Sequence, residues 1–429
     1  MRWAFLAASV AAAAVTANAA WAQDSKRAPA AQQASGEQAG VIPVAALRVT
    51  SPPNAAANRS YESPEAALLE ADLDYLIREA HRAVARNDTD GLWYTAAFAD
   101  DLAAGRYAQA RTVLQNAPGG INGSFADMLE PFLIAAEGNV DRAVERVDRG
   151  SDMLPAPLPE VARALLFESA GRLPEAAAVY ALMVESLDTT PPGDTEPQTS
   201  EEFDRVLNAA RVSHAVYRAA LVSHRLGRTE EARRYYNIVL GFQPRAIDVH
   251  ANLARLDAGQ QPFEEPLTAV GAAGRWMLFV SELLTQAETL SALIAQREPS
   301  RGLPSTSGAA LLQIGSLLAN DSDDWRLYAA QQTLGAGGID GAQRIIDQIS
   351  SDSPFAPDAE IVRASIQIER GNDEAAAAAA ERALTIAGDR WSIIASVGDV
   401  YRRIGHPDRA IPAFDRALTL TQDAKDRAD

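Results

Sequence analysis

Five histidines, 57 acidic residues and no cysteine set the chemistry open to this chain of 429 residues. Without cysteine there are no disulfides, thiolate nucleophiles or thiolate metal sites. The histidines are His81, His214, His224, His250 and His406. None has a second histidine four positions away beside a glutamate, as a helical zinc site requires. His214 and His224 lie ten residues apart on one predicted helix. That places them near one face but roughly 15 Å apart along the axis, too far to share a metal. All five read as surface or groove residues. The run Asp321-Ser322-Asp323-Asp324 has the look of a calcium loop but lacks the central glycine and the closing glutamate. It reads instead as a helix start, where acids suit the dipole. The run Gly335-Ala336-Gly337-Gly338-Ile339-Asp340-Gly341 has the glycines of a nucleotide loop. Such a loop needs a preceding strand, and a helix over Trp325 to about Thr333 is expected there. No nucleophile elbow, phosphate loop or HExxH stretch occurs. Glu201-Glu202 and Glu230-Glu231 are ordinary solvated helix starts. The sequence therefore predicts no catalytic residue, no metal and no cofactor.

The elements that position side chains are set by glycine. Gly337, Gly371 and Gly405 are spaced 34 residues apart, and Gly105, Gly138 and Gly171 are spaced 33 apart. Gly227 opens a further copy. Each is followed by alanine five positions on: Ala110, Ala143, Ala176, Ala232, Ala342, Ala376 and Ala410. A period of this length means stacked helical hairpins. The glycine should sit between two helices in a left-handed conformation. The alanine should sit where the two helices cross most closely. A larger residue four further on, such as Tyr180, Tyr236 or Phe414, should fill the space between hairpins, contributing about 1.5–3 kcal/mol when buried. Pro155, Pro244 and Pro354 are expected to end second helices.

Outside the hairpins the composition shifts. Arg2, an apolar stretch from Trp3 to about Thr16 and the small-x-small Ala20-Trp21-Ala22 form an export signal over 1–22. Cleavage is expected after Ala22, with Ala17-Asn18-Ala19 a second choice. The run is too short to span a bilayer comfortably. No cysteine follows it for lipid attachment. The mature chain is thus expected to be soluble in the periplasm or secreted. Residues 23–62 read as a disordered linker. One leading helix should begin at Ser63-Pro64, with Leu69, Leu73, Leu76, Ala80 and Val84 on one face. A first array should run over 63–257, with an exposed loop at 188–204. Residues 258–324 lack the glycine landmarks and read as degenerate hairpins, including a helix over 275–296 and another over Ala309–Leu318. A regular array should return over 325–429. The net charge of −18 argues against nucleic acid and anionic lipid.

The pattern Val397-Gly398-x-x-Tyr401-x-x-x-Gly405-x-x-x-x-Ala410-x-x-x-Phe414-x-x-Ala417 resembles the tetratricopeptide repeat family. The resemblance covers a little over half the chain. It implies an all-α fold, a right-handed α-solenoid of tandem helix-turn-helix hairpins. It also implies a concave groove, lined by the first helix of each pair, that holds a peptide or a partner's helix. Exported bacterial members often serve envelope assembly, secretion or polysaccharide export.

Counting back from each glycine, the groove positions include Phe125, Met128, Phe132, Val161, Leu165, His214, Tyr217, Leu221 and His224. Further along they are Leu327, Gln331, Ile361, Ser365, Asp399 and Arg402. Family members that grip a C-terminal carboxylate carry Lys and Asn where Tyr217 and Leu221 stand, so that clamp is not expected. The leading expectation is a non-enzymatic scaffold binding a protein segment. The alternative is an accessory factor of polysaccharide or peptidoglycan machinery that docks enzymes or binds glycan, with Trp276, Trp325 and Trp391 as stacking platforms. The last helix, about Pro407–Thr421, should leave an apolar face uncovered, for a partner or for further chain.

Overall fold

A computed structural model describes residues 61, 64–88, 91–117, 121–150, 157–190, 214–243, 246–297, 307–319, 323–335 and 337–426. The expected signal, all of the linker but Tyr61 and most of the 188–204 loop lie outside the described residues. Pro64–Ala287 and Thr306–Asp429 form one compact unit, and Met1–Ser63 with Glu288–Ser305 a second. The account below concerns the first.

Among the described residues there are nineteen helices and no strand. They are α1 Pro64–Leu69, α2 Leu73–Ala85, α3 Gly91–Ala103, α4 Tyr107–Asn116, α5 Ile121–Ala136, α6 Val140–Gly150, α7 Leu158–Ser169 and α8 Leu173–Ser186. Next come α9 over 214–225, α10 Thr229–Phe242, α11 Ile247–Asp257, α12 Ala269–Arg297 and α13 Ser307–Leu318. The series closes with α14 Asp323–Gly335, α15 Ile339–Ile346, α16 Ala356–Glu369, α17 Asp373–Ala387, α18 Trp391–Arg403 and α19 Pro407–Asp426. Neighbours pack as hairpins: α3 with α4, α5 with α6, α7 with α8, α14 with α15, α16 with α17 and α18 with α19. The fold is an all-α solenoid of tandem hairpins.

The seven spaced glycines all adopt the left-handed conformation, with φ between +69° and +91°. Each turn closes in the same way. Gly371 N–H donates to Ile368 O at 2.9 Å, and Asn372 N–H to Gln367 O at 2.9 Å. This satisfies the last carbonyls of the first helix. Nothing stands within 4 Å of where a side chain would begin at these glycines, so the requirement is conformational and not steric. The seven alanines five positions on are all buried. Gly398 obeys the opposite rule. A Cβ there would meet the Phe414 ring at 2.8 Å, so α18 and α19 can approach only across a bare backbone.

Three expectations change. The single leading helix is two, broken at Ala71, whose φ is +47°, and restarted by Asp72, whose side chain accepts from Tyr75 N–H at 3.1 Å. Short α1 packs on α13 and α15, and Arg344 of α15 bonds Glu70 at 2.8 Å. Pro354 does not end α15, which stops at Ile346. The stretch 258–324 holds the two expected helices, as α12 and α13, but opens on an irregular strap over 260–268.

Helix α12 is buried all round over its described side chains from Ala272 to Ser281, Arg275 and Gly274 aside. Trp276, Met277, Phe279 and Val280 join the core of the first array, while Leu278 joins that of the second. A helix apolar on every side must lie inside a protein. Gly274 and Gly315 let α12 and α13 approach closely, since a Cβ on Gly274 would meet Ala319 N at 2.8 Å. At the far end, Ile411, Phe414 and Leu418 of α19 are exposed, as the sequence anticipates.

Gly398→Ala is expected to destabilise the protein by about 1–3 kcal/mol through overpacking. Combining it with Phe414→Ala should cost less than the two single changes together, because the clash disappears. Urea unfolding of the four variants measures this.

Candidate binding groove

The expected groove of the first array is already filled by the chain itself. Phe132 of α5 lies against Trp276 of α12, ring centroids 6.0 Å apart, and Trp276 Nε1–H donates to Leu158 O at 3.4 Å. Val161, Leu165 and Leu221 are buried in the same cluster, with half-buried Met128 packed on it. The Phe125 side chain lies outside the described residues. His214 stacks on Trp325 at 6.1 Å, meets the edge of Phe279 and bonds Glu282, so it joins α9, α12 and α14. Trp276 and Trp325 are buried and cannot serve as sugar-stacking platforms; Trp391 is half-buried.

Downstream, the strap crosses α9 and α11. His224 Nε2–H donates to Gln260 O at 2.8 Å. A carbonyl only accepts, so the proton sits on Nε2, and Nδ1 accepts from Tyr236 OH at 3.1 Å. Burial lowers the His224 pKa, which keeps the ring neutral for this pair of bonds. Arg255 donates to Gln261 O at 2.6 Å. Asn252 accepts from Phe263 N–H at 3.1 Å and donates to the Glu264 carboxylate at 2.9 Å, and Tyr217 OH donates to that carboxylate as well. Arg225 donates to Glu264 O and Glu265 O at 2.9 and 3.0 Å.

Arg225 is held for this by Glu168 of α7, which is fully enclosed. Glu168 takes Arg225 at 2.9 Å, Arg218 through two nitrogens and Tyr180 OH at 3.3 Å. One buried carboxylate thus pairs with two guanidinium groups that are themselves largely buried. Beside the strap, Asp248 of α11 has its pKa pushed up to about 7 by burial first, then by repulsion from Asp324 and Glu264.

In the second array the expected positions stay open. Gln331 and Arg402 are exposed; Leu327, Ile361, Ser365 and Asp399 are half-buried. Arg402 pairs with Asp399 at 2.6 Å. Away from the groove, His81 Nε2 lies 2.9 Å from Asp100 and 4.0 Å from Asp101, beside an open cavity of about 690 Å³. The arrangement has metal-ligand types, but Arg106 donates to Asp101 at 2.7 Å and also to Asp100. The guanidinium takes the place a cation would need. Sequence spacing could not pair His81 with acids nineteen residues away.

Residues 393–428 match a family model described as Tetratricopeptide repeat. That match falls on the last hairpin, α18 and α19. Among solved structures it is similar to a tetratricopeptide repeat protein from Parabacteroides merdae ATCC 43184, at 17% identity over 70% of this chain and 93% of that one, TM-score 0.25. It is also similar to the APC/C hetero-tetramer Cut9-Hcn1, at 12% identity over 84% and 81%, TM-score 0.26. A third is the P58(IPK) TPR domain, at 12% identity over 81% and 93%, TM-score 0.20. Scores this low carry nothing about function. No curated protein matches the chain. The groove positions read from the sequence thus divide into a largely buried first set and a second set in which Gln331 and Arg402 are exposed.

Two outcomes follow from the buried charges. Glu168→Gln leaves Arg218 and Arg225 without their counter-charge and should cost about 3–5 kcal/mol in urea unfolding. Asp248 has a folded pKa above the unfolded 3.8. Its favourable contribution is therefore complete below that value and lost as pH rises through about 7. Asp248→Asn should raise the melting temperature relative to the parent at pH 8 and give a smaller gain at pH 5. An equal shift at both would contradict the assignment.

Proposed function

We propose that this protein is a non-enzymatic scaffold, exported to the periplasm, that binds a segment of another protein along the first helices of its repeats. The observation that carries the reading is the strap. Helices α9 and α11 hold an irregular peptide segment by its main chain, with donors placed on carbonyl oxygens. Gripping a backbone is what a peptide-binding surface must do, because main-chain groups are common to every peptide. The repeat family suggests the same role. The open positions Gln331 and Arg402 extend the first-helix surface into the second array, where solvent still reaches them. Export is supported by Arg2, the apolar run and Ala20-Trp21-Ala22. Among the described residues no helix is long and apolar enough to cross a membrane. A glycan-binding role in envelope machinery loses two of its three tryptophan platforms.

A photo-crosslinker placed at Gln331 or Arg402 of the full chain should give a discrete protein adduct in envelope extract. The same group at exposed Glu374, on a second helix, should not. Adducts at neither groove position, or equally at all three, would contradict the scaffold reading. Recovery of the mature chain from a periplasmic fraction with Gln23 at its N terminus checks export.

A further inference from the structure

The strap stands where a repeat helix should be. Gly259 has φ +65° and follows Gly227 by 32 residues, so α11 ends as the first helix of another hairpin. The second helix never forms. Residues 260–268 are irregular, and Pro262 and Pro266 each lack a main-chain donor. The segment is laid back over α9 and α11 instead of packing behind them.

How it is held separates it from the rest of the core. Of its nine residues only Pro262 is buried, while Gln260, Gln261, Glu265, Pro266 and Thr268 are exposed. Little apolar area fixes it. Hydrogen bonds do, and side chains of α9 and α11 engage the main-chain carbonyls of Gln260, Gln261, Glu264 and Glu265. Those bonds read no sequence. The one side chain gripped by polar contacts is the Glu264 carboxylate, between Asn252 and Tyr217. Both prolines sit where no bond to a main-chain N–H is needed. Bonds to main-chain carbonyls and to a carboxylate can be made by a separate chain as well as by the strap.

We infer that the strap is a built-in occupant of a subsite for a carboxylate-bearing, non-helical peptide segment from a partner, and that such a peptide displaces it. This rests on the scaffold reading and adds the partner's chemistry. The tethered strap competes at an effective concentration in the millimolar range, typical of a short linker. It lowers the apparent affinity for any incoming peptide by the fraction of time the subsite is closed.

The test uses a fluorescein-labelled decapeptide with the chain's own residues 259–268, Gly-Gln-Gln-Pro-Phe-Glu-Glu-Pro-Leu-Thr, and fluorescence anisotropy. The receptors are the full chain, the full chain with 260–268 replaced by nine glycines and serines, and the single variant Glu264→Ala. The strap-replaced chain should bind at least tenfold more tightly than the parent, and Glu264→Ala should gain affinity in the same direction. A peptide with glutamine at the Glu264 position should bind at least tenfold more weakly, as should the strap-replaced chain carrying Asn252→Ala. If the replaced chain loses its helical circular dichroism, Glu264→Ala alone decides. Unchanged affinity in the folded variants, or equal binding of a scrambled peptide, would overturn the inference. A chain indifferent to the peptide that still crosslinks a partner at Gln331 or Arg402 would refute the strap subsite and leave the scaffold reading standing.

Discussion

The structure depends on burying one helical stretch, 272–280, in which Arg275 is the one charged residue. Over Ala272 to Val280, α12 turns alanine, tryptophan, methionine, leucine, phenylalanine and valine in every direction, and all of these are enclosed. A single face of one hairpin could not cover such a helix. It takes the inner surfaces of several, and the cores of both arrays contribute. Burying a side chain the size of Trp276 or Phe279 contributes on the order of 2–3 kcal/mol relative to leaving it exposed. That is ample reason for the first helices to be apolar at Phe132, Val161, Leu165 and Leu221.

The repeat geometry was legible because its causes are local. A left-handed residue between helices calls for glycine, and a close crossing calls for alanine; both leave a mark in one sequence at a fixed period. Gly105 through Gly405 and the alanines after them stand as that reasoning placed them. The leading helix failed on an equally local point. Leu69, Leu73 and Leu76 share a helical face, yet Ala71 is left-handed and Asp72 supplies a new cap. An Asp that can cap its own successor competes with helix continuation, and periodicity alone does not weigh it.

The site was only half legible. Counting back from each glycine identified inward positions, and apolar residues there are as consistent with a bound partner as with a bound part of the same chain. Nothing in the period distinguishes the two. At 259–268 a glycine at nearly the repeat spacing is followed by an irregular segment: a hairpin begun and left without its second helix. The polar grip was not legible at all. Tyr217, His224, Arg225, Asn252 and Glu264 come together only because two first helices lie side by side, and Glu168 comes from a third. Charge pairs of that separation leave no spacing signal.

Hydrogen exchange on the full chain, followed by mass spectrometry, tests the filled groove most directly. If α12 lies inside the first array, peptides spanning 272–280 will exchange only when the whole unit opens, as slowly as those spanning 129–135 and 215–222, since interior helices open only with the fold. Exchange of 272–280 on the fast timescale of exposed α19 would show a groove that is empty, and the account would fail.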